Sequence, residues 1–492
     1  MGEKGSGGRD RGSQETGELP AGEVRAALHR AADLVADYLE GVERYPVVPR
    51  IRPGDVRAQL PAAPPERGEP LDALLADYAR LIEPNVTHWN HPGFLAYFAT
   101  TGSAPGVLGE LLAAGINAQA MLWRTGPAPT ELEEHVCDWL RRLLGLPEPF
   151  RGHINDTASM SSLLAIAAAR HRALPDVREQ GLTGHAVPRL VVYASEHAHS
   201  SIDKATITLG LGTSGVRRVP CDATYAMRPV ALAEAIADDR RAGRRPIAVV
   251  ATVGTTSSTA VDPVAAAGAL ARREGLWLHV DAAYAGPAAV CPELRHHFAG
   301  WEDADSIVLN PHKWMFTPMD CSVLLLRDPD ALRAAFSLVP EYLRTAERGV
   351  TNLNEYGPQL GRRFRALKLW FVIRAYGAEG LRTRLRAHCA LARAFAEWVD
   401  REPGFELVAP VPFSVVCFRA VPHLPPAEQD AFNERLMAEV NAAGPVFLSH
   451  TKLDGRLVLR LAIGNIRTER RHLETCWTLL REAAARLGAQ TP

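Results

Sequence analysis

The chain of 492 residues is too long for one small core, and at about 150 residues per domain it predicts two to four units. An apolar share of 47% beside 23% charged residues is that of a soluble globular protein, and a net charge of −1 offers no footing for nucleic acid or an anionic membrane as partner. No run of about 18 uncharged apolar residues occurs and no signal-peptide pattern follows Met1, so a cytoplasmic location is expected.

Residues 1–20 are rich in Gly, Glu, Arg and Ser and too poor in apolar groups to order themselves, which predicts a disordered tail. From Ala21 the pattern changes: Val24, Leu28, Ala31, Val35, Tyr38 and Leu39 recur at helical spacing, predicting an amphipathic helix that ends before Tyr45-Pro46. After a Pro-rich connection, Leu74, Leu75, Tyr78 and Leu81 predict a second helix over Leu71–Ile82. The apolar stripes of both need another surface to cover, and 21–103 reads as an N-terminal helical segment. It closes on a dense aromatic run, Thr87 to Thr100, which is either a plug between domains or the lining of a ligand pocket.

Residues 104–370 read as a large α/β domain. Thr130 is expected to cap a helix, with Glu133 completing a capping box. The short β-branched runs Leu190–Tyr193, Ile247–Ala251, Trp277–Val280 and Ser306–Leu309 alternate with alanine-rich helices, as in a mainly parallel, buried sheet. Residues 371–492 combine long helices with the strands Phe413–Phe418 and Arg456–Leu461, a small C-terminal α+β domain. The seven cysteines are scattered without CxxC spacing and read as reduced core thiols rather than disulfides or metal ligands. His197 and His199 lack a third ligand at suitable spacing, so no metal is expected.

The chemistry concentrates at Asn310-Pro311-His312-Lys313-Trp314, a polar turn between two buried strands. Squeezed between aromatic neighbours, an ammonium loses hydration and its pKa falls, and the free amine can form a Schiff base with a carbonyl. A lysine that merely snorkels to the surface is the alternative. Upstream, Trp277-Leu278-His279-Val280-Asp281 delivers an acid to the carboxyl end of a buried strand, where open α/β sheets place ligand-contacting groups. An acid for a ring nitrogen and an amine for an aldehyde are what pyridoxal phosphate requires. Asp156-Thr157-Ala158-Ser159 precedes an alanine-rich helix, where amides and hydroxyls suit an anion or an ordinary N-cap.

Asn310–Trp314 together with His279-Val280-Asp281-Ala282-Ala283-Tyr284 resembles the group II pyridoxal-phosphate decarboxylases, in the aromatic L-amino-acid decarboxylase branch. The resemblance spans about residues 22 to 485, with its motifs ordered and spaced alike along the chain. It implies a fold-type I architecture and a homodimer with shared active sites. Lys313 would carry pyridoxal 5'-phosphate, Asp281 would keep its ring nitrogen protonated, His199 would stack on the ring and Thr252 would lie beneath it. Ala158, Ser159 and Asn310 would hold the phosphate, with His312 beside them. Asp156 and Met160 depart from the pattern, and the Asp156 side chain is expected to point away from the phosphate. The resemblance assigns Trp89, Tyr97, Phe98 and Thr100 to the substrate pocket. Gln119, Met121 and Gly361 would contribute to it too, and Gly361 leaves room for a large ring. Tyr342 would donate the proton that yields an amine; relatives that make aldehydes carry phenylalanine there.

The expected activity is therefore decarboxylation of an aromatic L-amino acid, with catechol, phenol and indole rings all open. Alternatives are aldehyde formation by oxidative deamination, a non-aromatic substrate, an aminotransferase or a scaffold without chemistry. An aminotransferase would need an arginine for the α-carboxylate, which no pattern identifies, and a scaffold would have lost a catalytic position.

Overall fold

The computed structural model describes residues 19–184, 186–338, 341–343, 347–421 and 424–489. Residues up to His91 form one compact unit and those from Pro92 another. In the first, the helix Ala21–Gly41 passes into a 3-10 turn at Val42–Arg44 and stops before Tyr45, as the spacing predicts. The second predicted helix is α-helical only over Leu71–Asp77 and widens into a π turn at Tyr78–Ile82.

The second unit is built on a seven-stranded sheet: β1 (Arg151–Asn155), β2 (Leu190–Ser195), β3 (Val216–Val219), β4 (Arg245–Thr252), β5 (Trp277–Asp281), β6 (Ser306–Leu309) and β7 (Ser322–Leu326). Their order across the sheet is β1-β7-β6-β5-β4-β2-β3. Pairing is parallel from β3 to β6, whereas β7 is antiparallel to both β6 and β1. Two reversals restore direction, so β1 again runs with β6. The carboxyl ends of β1, β2, β4, β5 and β6 thus share one edge, and the connections that leave them start side by side.

The strands are apolar because both faces are covered: every residue of β2, β5, β6 and β7 is buried. The helix Ala158–Ala173 packs with Leu164 to Ala169 all buried, a turn and a half without a solvent face, which explains its run of small residues. The helix Pro127–Leu144 corrects one expectation. Gly126 is its N-cap, a turn earlier than Thr130, because the fixed φ of Pro127 favours the first helical position. Thr130 instead lies inside the helix and returns its hydroxyl to the Gly126 carbonyl at 2.8 Å. Glu133 reaches away to the Ile154 N–H at 2.9 Å.

A 37-residue helix, Arg365–Arg401, kinked at Gly377 where φ is 61°, leads into a second, antiparallel sheet. Its strands are β8 (Phe405–Leu407), β9 (Val415–Ala420), β10 (Ser449–Leu453) and β11 (Arg456–Ala462), in the order β10-β11-β9-β8. Residues 93–97, close to the start of this unit in sequence, are stitched to it. The Phe447 N–H donates to the Gly93 carbonyl, Leu95 N–H to the Phe447 carbonyl and Ala462 N–H to the Leu95 carbonyl, at 3.0, 3.0 and 2.8 Å. All seven cysteines are free thiols, six of them buried.

Candidate active site

The five strand ends on the shared edge carry the predicted residues. Asp156 to Ser159 follow β1, His199 follows β2, Thr252 ends β4, Asp281 ends β5, and Asn310 to Lys313 follow β6. Register places Thr252 and Val308 on either side of Asp281. The Asp281 side chain accepts the Ala283 N–H at 3.0 Å, and the carboxylate is 5% exposed, so its charge acts in a medium that screens poorly.

Lys313 sits in the single helical turn Pro311–Trp314 rather than in an irregular loop. The Lys313 amide donates to the Asn310 carbonyl at 2.9 Å, and the Asn310 amide to the Ala283 carbonyl at 3.0 Å, tying the lysine turn to the strand that carries Asp281. The lysine is half-buried, with Nζ 5.0 Å from the centroid of Phe98. Desolvation lowers its pKa, Asp281 opposes that, and the positive charge of Arg460 adds to the lowering. Behind the lysine runs a column of rings. Phe98 stacks on Tyr284 at 3.9 Å, Tyr284 on Trp314 at 4.9 Å, and the Trp314 Nε1–H donates to His388 Nδ1 at 3.0 Å. Phe98 is buried in this column, so it forms the wall against which the amine rests.

Two histidines are held neutral with defined tautomers. His199, exposed at the mouth of the site, accepts the Ser201 N–H on Nδ1 at 3.1 Å, which leaves the proton on Nε2. Desolvation lowers its pKa, with Asp281 pulling up and Lys313 pushing down. His312 accepts the Cys321 N–H on Nδ1 at 3.0 Å, and burial with the adjacent Lys313 pushes its pKa down to about 4.

Pyridoxal phosphate fits this set of side chains. Thr252 Oγ1 and Asn310 Oδ1 are buried without a partner among the described residues, a costly arrangement unless a ligand completes it. The helix Ala158–Ala173 presents its first amides and the exposed Ser159 beside them, the place for a phosphate. Asp156 folds back so that its carboxylate takes the N–H and the hydroxyl of Thr157, the latter at 3.1 Å. That contact occupies Thr157.

Of the predicted pocket residues, Tyr97 is exposed and Thr100 half-buried next to Phe98, while Trp89 belongs to the first unit. Gln119, Met121 and Gly361 form a second cluster. Gln119 Oε1 accepts the Arg362 N–H at 2.6 Å, the Met121 carbonyl accepts the Asn354 N–H at 3.0 Å, and a Cβ on Gly361 would meet only Gln119 Nε2, at 3.4 Å. Tyr342 lies in the 3-10 turn Glu341–Leu343, and its side chain is outside the described part of the structure.

Sequence reading missed two groups here. Arg460, on β11, is buried with its guanidinium 4.5 Å from the Phe98 centroid. Asp262 is buried and accepts the Thr252 and Met227 N–H groups at 2.8 and 2.7 Å, fixing the end of β4. Neither left a signal in the sequence: Arg460 falls in step with Arg456 along β11, and Asp262 stands in no motif.

Residues 53–421 match the pyridoxal-dependent decarboxylase conserved domain. The chain is 41% identical to tryptophan decarboxylase 2 of Oryza sativa subsp. japonica, over 98% of this chain and 99% of that protein. It is 42% identical to phenylacetaldehyde synthase of Arabidopsis thaliana, over 94% and 96%. Among solved structures, Oryza sativa TDC with PLP and tryptamine superposes with a TM-score of 0.92 at 38% identity, covering 95% of this chain and 99% of that one. An acid, a desolvated lysine and two orphaned polar atoms on one sheet edge, within a sequence and fold so matched, mean that this chain belongs to the pyridoxal-dependent decarboxylases.

Proposed function

We propose that the protein removes the α-carboxylate of an aromatic L-amino acid to give the corresponding amine and carbon dioxide. The observation that carries this is the half-buried Lys313 amine, set against Phe98 on the edge that also presents Asp281, Thr252 and Asn310. When bound, pyridoxal phosphate supplies an aldehyde to which amines bond covalently and a ring that takes up the electron pair left as carbon dioxide departs.

The chain's own residues do the rest. Lys313, whose ammonium form desolvation disfavours, would hold the cofactor through its aldehyde. Asp281 would keep a proton on the ring nitrogen: at an effective dielectric near 20, a carboxylate about 4 Å from a cation contributes roughly 4 kcal/mol. Thr252 Oγ1 would gain the partner it lacks, while Ala158, Ser159 and the Asn310 side-chain amide would hold the phosphate. His199, neutral with its proton on Nε2, orients the group at the mouth, and Tyr342 returns a proton to the substrate α-carbon. The wall of Phe98 and Tyr97 and the open space at Gly361 suit a flat ring.

We further propose a homodimer. The helix Ala104–Ile116 leaves Leu108, Leu111, Leu112 and Ile116 all more than half exposed, an apolar face that a second copy would cover. Light scattering of the purified chain reads this directly, and a monomer at micromolar concentration would overturn it.

The activity is tested by mass-spectrometric product analysis with L-tryptophan, L-5-hydroxytryptophan, L-tyrosine, L-DOPA and L-phenylalanine, with Lys313→Ala alongside. The expected result is an amine from at least one substrate, absent in the variant. An aldehyde with peroxide as the main product would transfer the chain to the aldehyde-forming reaction, which the similarity to phenylacetaldehyde synthase keeps in view.

A further inference from the structure

Residues 96–98 carry an unusual load for a connecting segment. Tyr97 adopts φ 49°, a left-handed conformation that a residue with a large side chain rarely takes without being held. Both of its backbone groups are held from the small sheet: the N–H donates to Ser449 Oγ on β10 at 3.1 Å, and the carbonyl accepts from Arg460 Nη1 on β11. Arg460 Nε donates to the Ser257 carbonyl at 3.1 Å, while Nη2 is buried without a partner among the described residues. A guanidinium at 3% exposure with a donor to spare is a costly thing to build for holding one turn.

Its position relative to the lysine explains the expense. The Arg460 guanidinium and the Lys313 amine lie 4.5 and 5.0 Å from the centroid of one ring, Phe98. The opposite charge available is Asp281, from β5; His199, from the connection after β2, is neutral; and Cys417 and Tyr284, which face Arg460, are neutral at physiological pH. We propose that Arg460 is a positioning residue for the reaction: it locks the Tyr97–Phe98 turn against which Lys313 rests and sets a second cation against the same ring, which favours the neutral over the charged form of the lysine amine. Guanidinium suits this role because its fork serves the turn while its charge serves the lysine.

The inference rests on the role given to Lys313 above, and its test reads the amine rather than the reaction. In the full chain freed of pyridoxal phosphate with hydroxylamine, acetylation of Lys313 by limiting acetic anhydride is followed by peptide mass spectrometry from about pH 6 to about pH 11. Two cations that share one ring lie at most about 10 Å apart, which at an effective dielectric near 20 is worth about one pH unit. Arg460→Gln, and Arg460→Met as a second neutral variant should the first not fold, are expected to move the labelling midpoint up by about that much, making the amine roughly tenfold less reactive below it. Arg460→Lys is expected to leave the midpoint within a few tenths of a unit while loosening the turn. A midpoint unmoved in a neutral variant that unfolds at a near wild-type temperature would overturn the proposal, as would equal shifts in the Lys and Gln variants. If no aromatic amino acid turns over but the midpoint moves, the substrate reading fails and this one stands.

Discussion

Substituting Arg362 probes the best-defined buried charge pair near the second cluster. Its Nη2 reaches Glu133 Oε1 at 2.8 Å and the Ile154 carbonyl at 2.7 Å, its Nη1 reaches the Ala120 carbonyl at 3.2 Å, and both side chains are at most 3% exposed. Arg362→Met leaves Glu133 charged, buried and short of a partner, a loss of about 3–5 kcal/mol, and Glu133→Leu strands the guanidinium at similar cost. The double substitution removes both charges, so its loss should be far below the sum and leave a coupling of about 3 kcal/mol. Circular dichroism on heating reads this as a fall of roughly 5 °C for each single variant and recovery of most of it in the double. His153 adds a second signature. Its Nδ1 is 3.8 Å from Glu133, but burial together with Arg362 and Arg365 drives its pKa well below the ordinary value. With Arg362 gone one of those causes disappears, so His153 can take a proton and replace the lost cation, and Arg362→Met should suffer less at pH 5 than at pH 8. Additive losses in the double variant, or a deficit equal at both pH values, would refute the reasoning.

Other outcomes follow from the same geometry. Asp281→Asn should lower kcat about a thousandfold, the rate equivalent of roughly 4 kcal/mol, with KM changing little; steady-state kinetics with saturating cofactor decides it. Stability should fall as pH drops from about 6.5 to about 4, because His279, His297, His312 and His388, each lowered to about 4 by burial, refuse protons that the unfolded chain accepts. Asp262, raised to about 6, works the other way: its folded form binds a proton more tightly between about 6 and 3.8, offsetting part of the loss. His388→Gln keeps an acceptor for Trp314 Nε1 and should flatten the pH dependence of the melting temperature; an unchanged slope would exclude His388 as a contributor. Gly361→Val should reduce kcat/KM for an indole substrate about tenfold more than for a phenol, since the added atoms enter the space beside Gln119.

The residues at the strand ends were legible because each is local: an apolar run of four to six residues followed by its polar payload announces both the strand and what it delivers. The short strands β1, β3, β8 and β10 were not foreseen, since three to five residues such as Val216-Arg217-Arg218-Val219 carry little apolar signal and exist because neighbours pair with them. Arg460 was hidden by periodicity. In Arg456-Leu457-Val458-Leu459-Arg460-Leu461 it shares a face with Arg456, which is exposed, and only packing against Phe98 and Ser257 buries it. Thr130 and Glu133 illustrate the opposite error, a motif real in letters and absent in space, because Pro127 had already begun the helix and Glu133 was claimed by Arg362.

The stitching of residues 93–97 to Phe447, Ser449, Arg460 and Ala462 bears on how the enzyme comes into being. More than 350 residues separate Tyr97 from Ser449, so the loop that closes when they meet is among the longest the chain can form, and contacts of that span are slow to find. During synthesis the lysine strand and its acid are in place while the wall they work against still waits for the last quarter of the polypeptide. A ribosome-bound chain halted before Ser449 would carry Lys313 and Asp281 yet lack the turn that confines them. Confinement of the Lys313 amine therefore waits on strands that lie far beyond it in the sequence.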